Sequence, residues 1–265
     1  MLGKLLGNVR QKAPLVHCMA NFVTANDCAN LLLAVGASPI MADDPMESQE
    51  ITARCAALTL SLGTPGERRL EAMRLSALEA KRREIPVILD PVGVTISSVR
   101  LKAAKALLDL GAVSVIRGNA SEIRVLAGER VGGCGLEAED ETACAIGAAK
   151  RLAAKAGAVV VMTGETDIVT DGVRLARVHN GHPIQRSITG AGCQLTALLG
   201  AFAAANPESL FDAALAGTCM MGLCAETAHA RMSPVDGSAA CRGYIIDAAY
   251  NMTGKSLEEG ASYEN

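Results

Sequence analysis

Short apolar runs alternate with longer amphipathic stretches almost from the start of the chain. Residues 15–18, 38–41, 58–62, 86–90, 113–117 and 159–163 are mostly apolar on both faces, which predicts strands of a buried parallel sheet. Between them, helical periodicity predicts helices near 25–35, 67–84, 98–110, 121–127 and 139–156. Asn26 and Asp27, Ser97 and Ser98, and Asn119 fall near three of these helix starts, where a side-chain oxygen can cap a free amide. After Thr163 the pattern changes. Turn residues at 165–167 and 170–172 separate short alternating strands, so an antiparallel edge is expected from Asp167 to His179. Three further helices are expected near 191–204, 210–232 and 236–252, and the polar stretch 254–265 reads as a flexible tail. No repeat, linker or composition break interrupts this order. The expectation is one α/β domain over residues 1–265, with a mostly parallel sheet.

Composition narrows the picture. Half of the residues are hydrophobic but only 2% are aromatic, so the core must be built from Ala, Val, Leu, Ile and Met. A net charge of −3 gives no electrostatic case for nucleic acid, and the basic run Lys81-Arg82-Arg83 reads as a solvated helix end. Nine scattered cysteines, an odd number without a C-x-x-C pair, point to a reducing, cytoplasmic setting. Cys219 and Cys224 are five apart and share no helical face, and His179 and His182 flank an apparent turn, so neither pair predicts a zinc site. No leader is indicated at the start, and Asp212, Glu226 and Arg231 argue against a membrane span in the long helix near 210–232.

Candidate chemistry lies at strand ends. Gly190-Ala191-Gly192 directly precedes an apolar helical run, where unpaired amides at the positive end of a helix dipole form an anion cradle. The same glycines also suit a tight turn and close helix packing. Asp90 ends one strand and is placed either to contact a hydrated magnesium ion or to brace the following loop. Arg117 ends the next, just before Asn119-Ala120-Ser121-Glu122, a capping-box sequence that is compatible with a phosphate and magnesium role. Thr163 ends a third strand with a hydroxyl able to reach a phosphate, or simply begins a turn. Open α/β sheets place ligands at such ends, so these residues are expected to face one crevice.

Taken together, these motifs resemble the ribokinase-like superfamily and, within it, the hydroxyethylthiazole kinases of thiamine salvage. The matching stretches are Pro14-Leu15-Val16-His17 with Asn21 and Val23, Gly36-Ala37-Ser38-Pro39 with Met41-Ala42, and Asp90-Pro91-Val92-Gly93. They continue through Arg117-Gly118-Asn119-Ala120-Ser121-Glu122, Thr163-Gly164-Glu165, Asn180-Gly181-His182-Pro183 and Thr189-Gly190-Ala191-Gly192-Cys193. Cys193 is the discriminating residue, because most of the superfamily carries Asp there as the base facing the substrate hydroxyl.

The resemblance implies a ribokinase-like sheet flanked by helices on both faces. It further implies magnesium- and ATP-dependent phosphorylation of the primary alcohol of 4-methyl-5-(2-hydroxyethyl)thiazole, and a homotrimer with sites between subunits. By the same carry-over, Asn21, Val23, Met41 and Gly190 contact the thiazole, and Arg117, Thr163, Gly190 and Gly192 contact ATP. Asp90 and Glu122 organise magnesium, largely through water, and Cys193 takes the hydroxyl proton. The chain departs from the family pattern at Cys18, Met19 and Ala20, at Pro65 and at Thr95. The alternatives are a same-fold kinase of a hydroxymethylpyrimidine or pyridoxal-type alcohol, and a non-catalytic ligand-binding relative.

Overall fold

The computed structural model describes residues 1–129 and 138–265. Its parallel strands are β1 (Leu15–Met19), β2 (Ser38–Ile40), β3 (Ala57–Ser61), β4 (Val87–Asp90), β5 (Val115–Asn119) and β6 (Val159–Thr163). An antiparallel edge follows, made of β7 (Asp167–Thr170), β8 (Leu175–Val178) and β9 (Tyr263–Glu264). All are joined in one sheet in the order β2-β1-β3-β4-β5-β6-β7-β8-β9. The central strands β3 and β4 are buried throughout, as expected of a sheet covered on both faces.

Two apolar layers cover the sheet. On one face, Val16, Ile88, Val161 and Val169 pack with the helices α1 (Leu2–Lys12), α2 (Ala25–Val35), α8 (Ala191–Ala205), α9 (Leu210–Arg231) and α10 (Ser238–Asn251). On the other, Leu58, Leu60, Leu89 and Val160 pack with α4 (Glu67–Arg82), α5 (Ser98–Asp109), α6 (Ala120–Leu126) and α7 (Ala138–Ala156). A short α3 (Ser48–Thr52) precedes β3. The predicted parallel strands, the antiparallel edge and the helices around them are all found, within a few residues at each end.

Three differences have physical causes. The helix at 2–12 was not expected, yet Leu2, Leu5, Leu6 and Val9 lie buried on one face of it. Asn26 and Asp27 do not cap α2; Thr24 occupies the cap position, and Asp27 lies in the first turn, where its charge favours the helix dipole. The expected flexible tail at 254–265 is instead ordered. Thr253 caps a final helix, α11 (Gly254–Gly260), Leu257 is fully buried, and Tyr263 and Glu264 add the edge strand. Leu257 docks it in the core together with Ala261 and Tyr263, and Glu258 ties it to the amino terminus.

Candidate active site

The carboxyl ends of the parallel strands open on one edge of the sheet, and the start of α8 crosses them. Gly190, the residue before this helix, has φ +85°, a left-handed conformation that only glycine adopts without strain. A Cβ at Gly190 would collide with Thr24, and one at Gly192 with the Arg117 guanidinium. Gly190 is thus required by its backbone and by close approach, while the bare Gly192 leaves room for the Arg117 guanidinium against the start of α8.

Asp90 sits at the centre and is completely buried. Its Oδ2 accepts a hydrogen bond from the Thr196 hydroxyl (3.2 Å), and Oδ1 lies 3.7 Å from Arg117 Nη1. Oδ1 has no hydrogen-bond partner. Burial pushes the Asp90 carboxyl up from its ordinary pKa, the Arg117 charge opposes that, and the Glu122 charge adds to it. Arg117 also donates through Nη2 to the Thr163 hydroxyl at 2.8 Å, which joins the ends of β4, β5 and β6. Glu122 is placed differently. Its Oε1 accepts from the Gly93 amide (2.9 Å) and its Oε2 from the Asn119 amide (3.0 Å), while the Asn119 side chain accepts from the Glu122 amide (2.9 Å). The capping box is real, and it also ties α6 to the loop after β4.

Cys193 faces the ends of β1 and β3. Its Sγ accepts from Asn21 Nδ2 at 3.2 Å and lies 3.9 Å from Ser61 Oγ. Burial, reinforced by the charge of Asp90, pushes the thiol up to about 11. The helix start does not make it a thiolate. The adjoining backbone is held by two arginines on α4 and α5. Arg69 donates to the carbonyls of Met19 (2.7 Å) and Ala20 (2.6 Å) and pairs with Asp43. Arg100 donates to the carbonyls of Gly63 (2.7 Å) and Val92 (3.1 Å). Asn21 in turn is packed against Gly63, where a Cβ would fall 2.9 Å from its side chain. His17 is buried between Thr52 Oγ1 (2.8 Å) and the Ala42 carbonyl (2.7 Å), burial lowers its pKa, and it braces the backbone just after β2.

Val23 and Met41 lie at the outer end of this region, 58% and 39% exposed, beside Phe22 (79%) and Met46 (89%). Each of these apolar side chains is exposed to solvent in the single chain. On the other side of Arg117, a cavity of about 260 Å³ is lined by Arg117, Thr163, Asp167, Asn180, Arg186 and Gly192. Thr163 and Gly164 also line a second cavity of about 570 Å³, which reaches Ser121, Arg124 and Arg177. Asp167 accepts from the Gly164 amide at 2.9 Å, and burial raises its pKa to about 6. A larger cavity of about 940 Å³ lies between α4 and α5, remote from these groups, so size alone does not locate the chemistry. Among the described residues no three His, Cys, Asp or Glu side chains are grouped to hold a metal. Asp90 Oδ1, buried and ion-paired with Arg117 at 3.7 Å, accepts no hydrogen bond and so keeps a lone pair unused.

The crevice thus brings together Asp90, Arg117, Thr163, Gly190, Gly192 and Cys193 with Asn21, whereas Val23 and Met41 are exposed. Sequence reasoning missed Thr24, Ser61, Arg69, Arg100, Asp167 and Thr196. Arg69 and Arg100 look like ordinary helix-surface cations, and only Asp167, within turn residues at a strand start, carried any local signal.

A family model described as the hydroxyethylthiazole kinase family matches residues 6–255. The chain is 44% identical over 272 residues to the hydroxyethylthiazole kinase of Clostridium acetobutylicum, covering 100% of both chains. The solved structure of the hydroxyethylthiazole kinase protein from Pyrococcus horikoshii matches with a TM-score of 0.89 and 30% identity, over 99% of this chain and 98% of that one. The pyridoxal kinase of Bacillus subtilis, solved as an ADP complex, matches with a TM-score of 0.58 and 18% identity over 86% of this chain and 97% of that one, and so shares the fold. With a full-length relative, a close structural match and a family model over nearly the whole sequence, the chain belongs to the hydroxyethylthiazole kinase family.

Proposed function

We propose that this protein transfers the γ-phosphoryl group of ATP to the primary alcohol of 4-methyl-5-(2-hydroxyethyl)thiazole. The observation that carries the reading is the junction at the start of α8. Arg117 lies against Gly192 on one side, and Cys193 meets Asn21 on the other, so an anion cradle adjoins a small polar pocket with an apolar rim. Phosphoryl transfer requires this adjacency, because catalysis rests on alignment and charge stabilisation rather than on covalent help. The amides at Gly192 and Cys193 and the Arg117 guanidinium stabilise charge on the transferring group. Thr163 holds Arg117 and contacts the nucleotide. Asn21, Val23, Met41 and Gly190 bound the thiazole side.

Cys193 touches the alcohol but is a protonated thiol at neutral pH, since its pKa is about 11. It therefore orients the hydroxyl, and proton loss to it is slow. Magnesium fits in a restricted way. Asp90 Oδ1 makes no hydrogen bond but is buried against Arg117, so it would reach the ion through water, while both Glu122 oxygens are already engaged by amides. The ion would be held mainly by the triphosphate and water, with Asp90 and the Glu122-braced loop shaping the site, and it would neutralise phosphate charge. A homotrimer is supported by the exposed apolar side chains of Phe22, Val23, Met41 and Met46, which a second subunit would cover. A cytoplasmic location fits the nine scattered cysteines without a C-x-x-C pair, and none of the described residues forms a helix long and apolar enough to cross a membrane.

The test is incubation of purified protein with MgATP and a panel of thiazole, hydroxymethylpyrimidine and pyridoxal-type alcohols, with products identified by mass. A phosphorylated thiazole alcohol as the dominant product is expected. Preference for another alcohol would move the substrate assignment to a same-fold kinase, and no ADP release with any alcohol would point to a non-catalytic relative. Light scattering on the same sample is expected to give a trimer, and a fully active monomer would overturn the shared site.

A further inference from the structure

Between the end of β8 and the start of α8, residues 179–190 form one wall of the cavity that contains Arg117, Thr163 and Gly192. This segment has a single buried polar side chain at its root, Asn180, which is 7% exposed and lines the cavity. Its Nδ2 donates to Glu226 Oε1 on α9 (3.2 Å) and to the Gly260 carbonyl at the end of α11 (3.1 Å). Its Oδ1 accepts from the Ser262 amide at 2.7 Å. Two acceptors on one side and a donor on the other fix the amide's orientation, because a flipped amide would oppose like groups at all three contacts. The surrounding backbone repeats the connection. The His179 amide donates to the Ser262 carbonyl (2.9 Å), and the Gly181 amide donates to Glu226 Oε1 (2.7 Å). On the helix side the fit is close, since a Cβ at Gly222 would fall 2.6 Å from Asn180.

We infer that Asn180 is a positioning residue for the nucleotide, through which the C-terminal segment 260–264 sets the wall carrying Gln185 and Arg186 over the triphosphate. The inference rests on the proposed kinase reading. The acceptor pocket at Asn21 and Cys193 lies across Arg117 from this wall, so a displaced wall acts on ATP and leaves the thiazole alcohol alone. A role confined to stability would weaken both substrates alike.

The experiment measures KM for ATP and for the thiazole alcohol, and ADP binding by calorimetry, in the full-length wild type and two variants. Asn180→Ala removes the hub. Ser262→Pro deletes the amide that donates to Oδ1 and keeps the carbonyl that accepts from His179, at a residue outside both substrate sites. Each variant is expected to raise KM for ATP and weaken ADP binding by about tenfold, the usual effect of losing a hydrogen bond to a buried group, with KM for the alcohol changed less than about twofold. Unchanged ADP affinity in a folded Ser262→Pro variant would overturn the inference, as would equal rises in both KM values. If Asn180→Ala fails to fold, the Ser262→Pro comparison decides alone. A wild type that binds ADP but phosphorylates no thiazole alcohol would defeat the proposed function while leaving the ADP measurement as a test of Asn180.

Discussion

On the parallel side of the crevice, at the ends of β1, β3 and β4, the functional groups are deeply buried and their backbones are clamped from outside. Asp90 is completely enclosed, and Arg69 and Arg100 reach in from helices to grip four carbonyls around Asn21, Gly63 and Val92. On the antiparallel side, beyond Thr163, the groups are open to a cavity and are held from the chain terminus, through Asn180 and β9. Under the proposed function the difference suits two substrates of different kinds. A small alcohol needs a pocket whose few polar atoms do not move, because misalignment is costly in an in-line displacement. A nucleotide brings charge and many contacts, so its wall can be assembled from less buried parts. Arg117 belongs to both sides, contacting Asp90, Gly192 and Thr163.

The largest effect should come from that shared residue. Arg117→Ala is expected to lower kcat about a hundredfold, the typical cost of losing a preorganised charge-stabilising donor. Because it also leaves Asp90 buried without its cation, a melting measurement must accompany the kinetics. A folded Arg117→Ala variant with near-normal turnover would separate the two sides and remove the junction from the mechanism.

Cys193 tests whether the parallel side supplies chemistry or only shape. Cys193→Ala is expected to lose on the order of tenfold in single-turnover rate, since the cradle and Arg117 remain. Cys193→Asp is expected to match or exceed the wild type at neutral pH, because a carboxylate there is a competent proton acceptor where the thiol, at about 11, is not. Activity in Cys193→Asp should fall as pH drops, and the half-point should lie above an ordinary Asp value, because the neighbouring Asp90 disfavours a second negative charge. A folded, substrate-binding Cys193→Asp variant that is inactive would leave Cys193 as a wall of the pocket.

Glu122 tests the bracing between α6 and the loop after β4. Glu122→Gln replaces an oxygen that accepts an amide hydrogen with a group that donates one, so about 1–3 kcal/mol of stability should be lost at this buried position. Turnover should fall less than in Arg117→Ala. Loss of turnover with unchanged unfolding free energy would instead mean that the carboxylate acts on the metal rather than on the loop.

How far each side was legible follows the same division. Strands such as 159–163 and the helix at 25–35 announce themselves because a doubly covered sheet demands apolar runs and its helices demand periodicity. Asp90, Arg117, Asn119 and Thr163 were legible because they stand at strand ends, a position that sequence order reveals. The clamps were not. Arg69 and Arg100 sit on amphipathic helices where any exposed cation looks alike, and their carbonyl partners leave no mark in a sequence. The C-terminal strand was hidden for a related reason: Tyr263 and Glu264 pair with Arg177 and Val178 across more than eighty residues, with no local apolar run to signal it.

The smallest expected effect concerns Asp167, the acidic group on the open side. Its folded pKa of about 6 lies above the ordinary value of 3.8, because burial disfavours the charge. For a raised group the stabilising contribution is complete below the unfolded value and is lost as pH rises through the folded one. The window is therefore about pH 4 to 6. Asp167→Asn keeps an oxygen for the Gly164 amide and is uncharged at every pH, so it imitates the protonated acid. The variant should equal the wild type in stability near pH 4 and gain on it as pH rises, levelling off above about 6. In kinetics the charge also faces the cavity with Arg117, so the ratio of wild-type to variant KM for ATP should rise a few-fold over the same window, with the nucleotide's own ionisation cancelling in the ratio. A ratio that is flat from pH 4 to 7 would mean that Asp167 is solvated like any surface carboxylate, and the open side would then owe its anion affinity to Arg117 and the α8 amides alone.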